Sequence, residues 1–322
     1  MNVETATDAR LKKRAKPRNY SRFKDDAQLY LMSVPAVLQL FLFAYLPMAG
    51  LVIAFKDFDF SKGIFGSDWL HPIYYNFLIL FNNNPDAFVA IRNTLFLNAL
   101  FISVGTVFAL ALALMFNEIK NKAFQRITQS VTFLPYFIST VVIGVFVSGL
   151  FSFNSGTINH LLMLFGFEKM NFYEQPAYWP GILLAVAIWR GAGYSAIVYL
   201  AAITGIDTSF YEAAEIDGAT RWQQTRYISL PMIMPTVIIL TLLAVGRIMN
   251  ADFGFFYNIV GDTPMIFPST DVLDTYIYRA LRRTGDIGIS SATGFFQSVV
   301  SFALVLVCNK LARNYEKEAA LF

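Results

Sequence analysis

The chain has 322 residues, 56% hydrophobic and only 15% charged, with a mean hydropathy of +0.50. A soluble domain of this size carries more charge, and the formal charge of +3 comes from a basic N-terminal stretch, which suits a membrane surface and does not suggest nucleic acid. The single cysteine, Cys308, excludes an intrachain disulfide and reads as a buried structural thiol, while two histidines, His71 and His160, make no metal site.

Residues 1–28 carry Arg10, Lys12, Lys13, Arg14, Lys16, Arg18, Arg22 and Lys24 and read as a basic cytoplasmic tail that settles on anionic lipid. A charge-free run from Ala27 to Phe55 follows. It is too long for the apolar core of a signal peptide, and no small-residue cleavage site comes after it, so it reads as a retained span. Further charge-free runs extend from Asn93 to Asn117, Ile127 to Phe167, Tyr227 to Gly246 and Ile287 to Asn309, and a run from Tyr178 to Ile206 is broken only by Arg190. Each reaches the roughly 20 residues a helix needs to cross a hydrocarbon core. Lipid offers the backbone no partners, so these are helices. The expected fold is all-α, with six spans near 29–54, 93–116, 130–153, 180–204, 231–250 and 293–311. A six-span permease domain would cover 29–312, and 313–322 would form a cytoplasmic C-terminal tail.

With the N-terminus inside, the segments on its side hold sixteen Lys and Arg, and those on the far side hold seven. The excess puts both termini and the loop 205–231 in the cytoplasm. The first outer loop, from Lys56 to Arg92, is long and aromatic and reads as part of a surface that receives a solute-binding protein. Between the third and fourth spans, the stretch from Phe153 through Asn159 reads as a capped turn followed by a short apolar segment.

The polar loop 205–231 lies between two apolar runs. Ser209 stands three residues before Glu212 and Thr220 three before Gln223, so two capping boxes predict two short helices. Gly218 falls where the first must end, able to take a left-handed conformation. Pro231 suits the first turn of the next helix. Ala213 and Ala214 leave a low-relief surface for close docking.

The order Glu212-Ala213-Ala214, three residues to Gly218, then nine to Ile228-x-Leu230-Pro231 resembles the E-A-A-x3-G-x9-I-x-L-P loop of bacterial ATP-binding-cassette (ABC) importer permeases, with seven positions agreeing across 20 residues. The resemblance implies a type I importer permease fold in which the first loop helix is a coupling helix, seated in a groove of a cytoplasmic ATPase. Glu212 would make a polar contact to that ATPase, Ala213 and Ala214 would allow close docking, and Asp217, Gly218, Leu230 and Pro231 would complete the coupling site. It also implies a second related permease, two ATPase subunits binding ATP and Mg, a solute-binding protein outside, and alternating access to a cavity between the spans. The segment Phe153–Asn159, Trp189 with Gly193 and Tyr194, the stretch from Thr270 to Arg279 and the start of the last span at Gly294 are similar to the carbohydrate-importing subgroup, so the implied cargo is an oligo- or polysaccharide.

Candidate residues of the substrate path are Trp189, Arg190, Tyr194, Arg247, Asn250 and Asp252. Arg190 and Arg247 are charges expected inside spans, where charged residues face protein or a watery path. They could offer guanidinium forks to the carboxylates of a uronate such as an alginate or pectin fragment, or pair with a carboxylate or helix carbonyls of the protein. Aromatics here could stack on sugar rings or fill helix interfaces. No Gly-Lys dipeptide occurs, hence no phosphate loop, and ATP hydrolysis is expected on partner chains. The predicted spans hold no Asp or Glu, which speaks against an ion-coupled secondary sugar transporter. The inner loops offer few acidic groups for a membrane glycosyltransferase.

Overall fold

The computed structural model describes residues 20–82 and 84–315; residues 1–19 of the expected basic tail and 316–322 of the expected C-terminal tail lie outside these. The chain divides between Val52 and Ile53 into two compact units.

In the first unit, α1 (Tyr20–Leu40) runs into a π-helical turn, Phe41–Tyr45, and a short α-turn, Leu46–Met48. The π-turn comes just before Pro47, whose ring would crowd the carbonyl four residues back and leave it without a donor. In the wider turn Leu46 donates its N–H to the Phe41 carbonyl. Pro35 lies inside regular helix, so a proline permits such a turn without dictating it.

The second unit opens with an antiparallel ribbon, β1 (Lys56–Asp57) and β2 (Asp68–Trp69), in which Lys56 faces Trp69. The buried Lys56 ammonium donates to the Ser67 carbonyl at 3.0 Å and the Phe65 carbonyl at 3.1 Å. The aromatic loop expected over 56–92 thus begins as a ribbon, and it goes on to α2 (Tyr75–Asn82). Next, α3 (Pro85–Glu118) is capped by Asn84 with Pro85 at its first position, so it starts eight residues before the predicted span and takes Arg92 into a helix.

The third predicted span, 130–153, is broken. Helix α4 (Lys122–Phe133) passes through a 3-10 turn, Leu134–Phe137, and α5 (Thr140–Phe151) leaves at 96°. Pro135 cannot continue the α-helical ladder, and Ser139, extended and accepting from the Val142 N–H, starts a new helix. After α6 (Thr157–Leu164) the chain is clipped by buried Asn159, which donates to the carbonyls of Ser152 and Met170 and accepts from the Met170 N–H at 2.9 Å.

Helix α7 (Trp179–Thr204) leads to α8 (Thr208–Ile216), α9 (Arg221–Gln224), a π-turn (Thr225–Ser229) and α10 (Leu230–Gly246). The second loop helix is therefore no separate hairpin arm: from Arg221 to Gly246 it is one rod with the fifth apolar stretch. Pro231 sits inside this rod, two residues past its π-turn, as Pro47 does in the first unit. The rod ends at Gly246, so Arg247 and Asn250 lie beyond the helix that was expected to contain them. Then come α11 (Phe253–Val260), α12 (Leu273–Arg279) and α13 (Ile287–Tyr315). Among the described residues, five helices are long and apolar enough to cross a membrane, six if the bent α4–α5 pair counts as one span.

Helices α3 and α7 form the most extensive helix pair. Small Ala109 and Ala113 on α3 and Ala196 on α7 are fully buried and let the backbones approach, with Tyr199, Leu200 and Ile203 filling the sides. α7 crosses α4 just as closely: a β-carbon at Gly193 would stand 2.1 Å from the Thr132 carbonyl oxygen. A second core gathers Leu97, Ile143, Trp179, Phe255 and Phe256, which seats the short α5 and α11 against α3 and α7.

Candidate functional site

The loop 205–231 is built by its caps. Helix α8 starts at Asp207, whose carboxylate accepts from the Ser209 N–H at 2.9 Å, so the expected Ser209–Glu212 box is not formed and the cap lies two residues earlier. An aspartate in extended backbone offers the freed N–H groups a charged acceptor, which outcompetes a serine hydroxyl already inside the first turn. The same hydrogen bonds from Ser209 hold the Asp207 carboxyl below its ordinary pKa. The second box is present, with Thr220 and Gln223 bonding reciprocally. Between them Gly218 has φ +79°, and the N–H groups of Gly218 and Ala219 return to the carbonyls of Glu215 and Ala214 at 3.1 and 2.8 Å, a Schellman closure. The Tyr211 and Ser229 hydroxyls, 2.8 Å apart, tie α8 to the π-turn.

Of the expected coupling residues, Ala214, Asp217 and Gly218 line one hollow of about 330 Å³ with Gln223, Tyr227 and Ile228. Glu212 and Ala213 are exposed beside it. Leu230 and Pro231 do not line it; they sit past the π-turn in the rod. Sequence reasoning passed over Ile216 and Trp222, 87% and 69% exposed, which add apolar surface to this polar loop.

At the other end of α10 the chain unwinds over 247–252, held by side chains from elsewhere. Asn98 donates to the Ile248 carbonyl at 2.7 Å and Gln297 to that of Met249 at 2.8 Å, while Asp274 accepts from the Ala251 N–H at 2.8 Å. Burial pushes the Asp274 carboxyl above its ordinary pKa. Asp252 then caps α11 by accepting from the Phe255 N–H at 3.0 Å, and its second oxygen accepts from Arg190 Nη1 at 2.8 Å. The pair is only partly exposed on the arginine side, and Arg190 Nε is buried with no partner among the described residues.

Arg190 and Asp252 line a cavity of about 350 Å³ with Asn98, Phe101, Tyr136 and Gly191. A neighbouring hollow of about 410 Å³ shares Phe101, Ala187 and Gly191 and is lined by Tyr194, Ser195 and Tyr199. Tyr194 stacks on Tyr136, ring centroids 4.7 Å apart and 11° from parallel, which joins the two walls. The structure thus brings Arg190, Tyr194 and Asp252 together. Trp189 is half exposed and lines neither hollow; Asn250 accepts from the Ser301 hydroxyl at 2.7 Å; Arg247 is exposed at the end of α10. Tyr136 was missed. Its signal was the proline at 135, which marks a break and therefore a side chain freed from helix packing.

Residues 105–317 match the family model described as "Binding-protein-dependent transport system inner membrane component". The chain is 35% identical over 307 residues to the polygalacturonan/rhamnogalacturonan transport system permease protein YteP of Bacillus subtilis, covering 95% of this chain and 94% of that one. It is 32% identical over 295 residues to protein LplB of the same organism, covering 92% and 91%. Among solved structures it superposes with a TM-score of 0.82, at 34% identity and over 92% of its length, on a chain of a bacterial ABC transporter involved in the import of the acidic polysaccharide alginate, 99% of which is covered. A second structure of the alginate transporter, in complex with an alginate pentasaccharide-bound periplasmic protein, matches equally well. The fold is accordingly that of a type I ABC importer permease, and the E-A-A loop, the apolar helices and the matched length agree: the chain belongs to the family of binding-protein-dependent transport system inner membrane components.

Proposed function

We propose that this chain is one permease subunit of an ATP-driven importer that carries an acidic oligo- or polysaccharide into the cytoplasm. The observation that carries the cargo class is the likeness, over nearly the whole chain, to one protein named for polygalacturonan and to another that imports alginate, both polymers of uronate sugars. The distribution of lysine and arginine favours cytoplasmic termini and a cytoplasmic α8. In that orientation α8 docks on an ATPase subunit, Glu212 making a polar contact while Ala213, Ala214 and the hollow at Asp217 and Gly218 accept the partner's side chains. A second related permease completes the pathway, two ATPase subunits bind ATP and Mg, and a solute-binding protein delivers the cargo from outside.

The Arg190–Asp252 pair gives the cavity its chemistry. With no cargo present, Asp252 compensates the guanidinium. A uronate carboxylate entering the cavity exchanges with Asp252 for a charge-assisted hydrogen bond, and the Tyr136–Tyr194 stack offers ring faces to the sugar.

The coupling assignment is tested by Ala214→Arg and Gly218→Pro in the full complex reconstituted in lipid. Both variants are expected to assemble with the ATPase yet lose most transport per ATP hydrolysed. Normal uptake in both would remove α8 from the coupling role.

A further inference from the structure

The surface that begins one residue after Asp252 carries a second arginine, set among aromatic rings. Phe253 and Tyr257 lie one turn apart on α11, on the side away from buried Phe255, Phe256 and Ile259, and stack with centroids 5.2 Å apart and 14° between planes. Tyr278 of α12 closes on both, at 5.0 Å from Phe253 and 5.1 Å from Tyr257. α12 then passes into a π-turn, Ala280–Thr284, a geometry that recurs at functional sites. From this turn Arg282 Nη1 donates to the Tyr278 hydroxyl at 2.6 Å and the Tyr257 hydroxyl at 3.3 Å.

Both of these partners are neutral phenols. The nearby carboxylate of Asp262 pairs with Arg283 at 3.0 Å, and among the described residues no carboxylate lies within ion-pair distance of Arg282, which is exposed. Two hydroxyls therefore orient a guanidinium without neutralising it, and one nitrogen serves both, leaving donors free. A uronate pyranose carries what this arrangement lacks: a carboxylate for the guanidinium and an apolar C–H face for the rings. The site lies at the end of α10 opposite α8, and Asp252, the residue before Phe253, lines the 350 Å³ cavity.

We propose that Arg282, with Phe253, Tyr257 and Tyr278, forms a uronate-binding subsite outside the cavity, where an acidic oligosaccharide is held before it reaches Arg190. This rests on the acidic-cargo reading and on the orientation given above. The test is equilibrium binding of a fluorescent oligogalacturonate, and of the same oligosaccharide with its carboxyls reduced, to the complete complex in lipid nanodiscs without binding protein. Arg282→Gln is expected to weaken oligogalacturonate binding roughly tenfold and leave the reduced sugar unaffected. Arg282→Lys, which keeps the charge, recovers part of the loss, and Tyr278→Phe, which keeps the ring, gives a smaller one. Unchanged oligogalacturonate binding in Arg282→Gln overturns the subsite while leaving the importer reading intact. Reduced ATPase stimulation of Arg282→Gln by binding protein loaded with a neutral oligosaccharide also overturns it, because the arginine then contacts the binding protein. Failure of the wild-type complex to bind or import any uronate removes the acidic-cargo reading, and the subsite with it.

Discussion

Asp271 is 4% exposed and pairs with Arg279, 14% exposed. The Thr275 hydroxyl donates to the other Asp271 oxygen, and the guanidinium lies 4.0 Å from the centre of the Phe267 ring. Removing one member of a buried pair leaves the other charge desolvated and alone, at about 3 kcal/mol. Asp271→Asn should therefore lower the thermal unfolding midpoint of the purified complex, and an unchanged midpoint would mean that solvent reaches the pair. The sequence singled out the stretch from Thr270 to Arg279 for its resemblance to the carbohydrate-importing subgroup, and the Asp271–Arg279 pair itself was not read from it. Gly218 is the opposite case. A glycine after a helical stretch with a new hydroxyl cap two residues on admits one local solution, and φ +79° is that solution. Arg190 falls between the two. Its place inside an apolar run predicted an interior role, whereas its partner Asp252, 62 residues away, required the fold.

At the scale of elements, bonds within a turn or two were legible only in part, since Asp207 displaced the expected Ser209–Glu212 box, and those governed by distant partners were not. The Thr220–Gln223 box formed as its spacing demands. The break between α4 and α5 was hidden because 41 charge-free residues from Ile127 to Phe167 satisfy a span by composition, and Pro135 and Ser139 weigh little in such a count. The end of α10 at Gly246 was hidden for another reason: Asn98, Gln297 and Asp274 capture the backbone groups of 248–251, and only tertiary structure brings them there. The π-turn at Thr225–Ser229 yields a prediction of its own. Pro231→Ala supplies the missing N–H and removes the ring, so the turn is free to relax to α-helix, which rotates α9 by about 100° relative to α10. The variant should assemble normally while ATP hydrolysis loses its tie to transport, measured as cargo moved per ATP. An unaltered ratio would mean that the turn holds its geometry without the proline.

Across the whole second unit, one rod joins the two candidate sites. From Arg221 to Gly246 it is 26 residues long, about 39 Å at the usual helical rise. One end carries α8 through the Tyr211–Ser229 contact, and the other continues into the unwound segment that ends in Asp252. If α8 docks on an ATPase as proposed, this rod and the segment after it are the covalent path between that helix and the Arg190–Asp252 pair. In the proposed orientation, cargo would enter from the end that carries Arg282 and leave toward the end that carries Gly218.

The proposed role of this permease is acidic-saccharide import coupled to a partner ATPase through α8. It is tested most directly by the ATPase rate of the purified complex in lipid, with binding protein loaded in turn with uronate and neutral oligosaccharides, for the wild type and Glu212→Ala. Stimulation is expected with the uronate-loaded protein, and Glu212→Ala is expected to abolish it. Failure to copurify with any ATPase, or stimulation confined to neutral sugars, would contradict it.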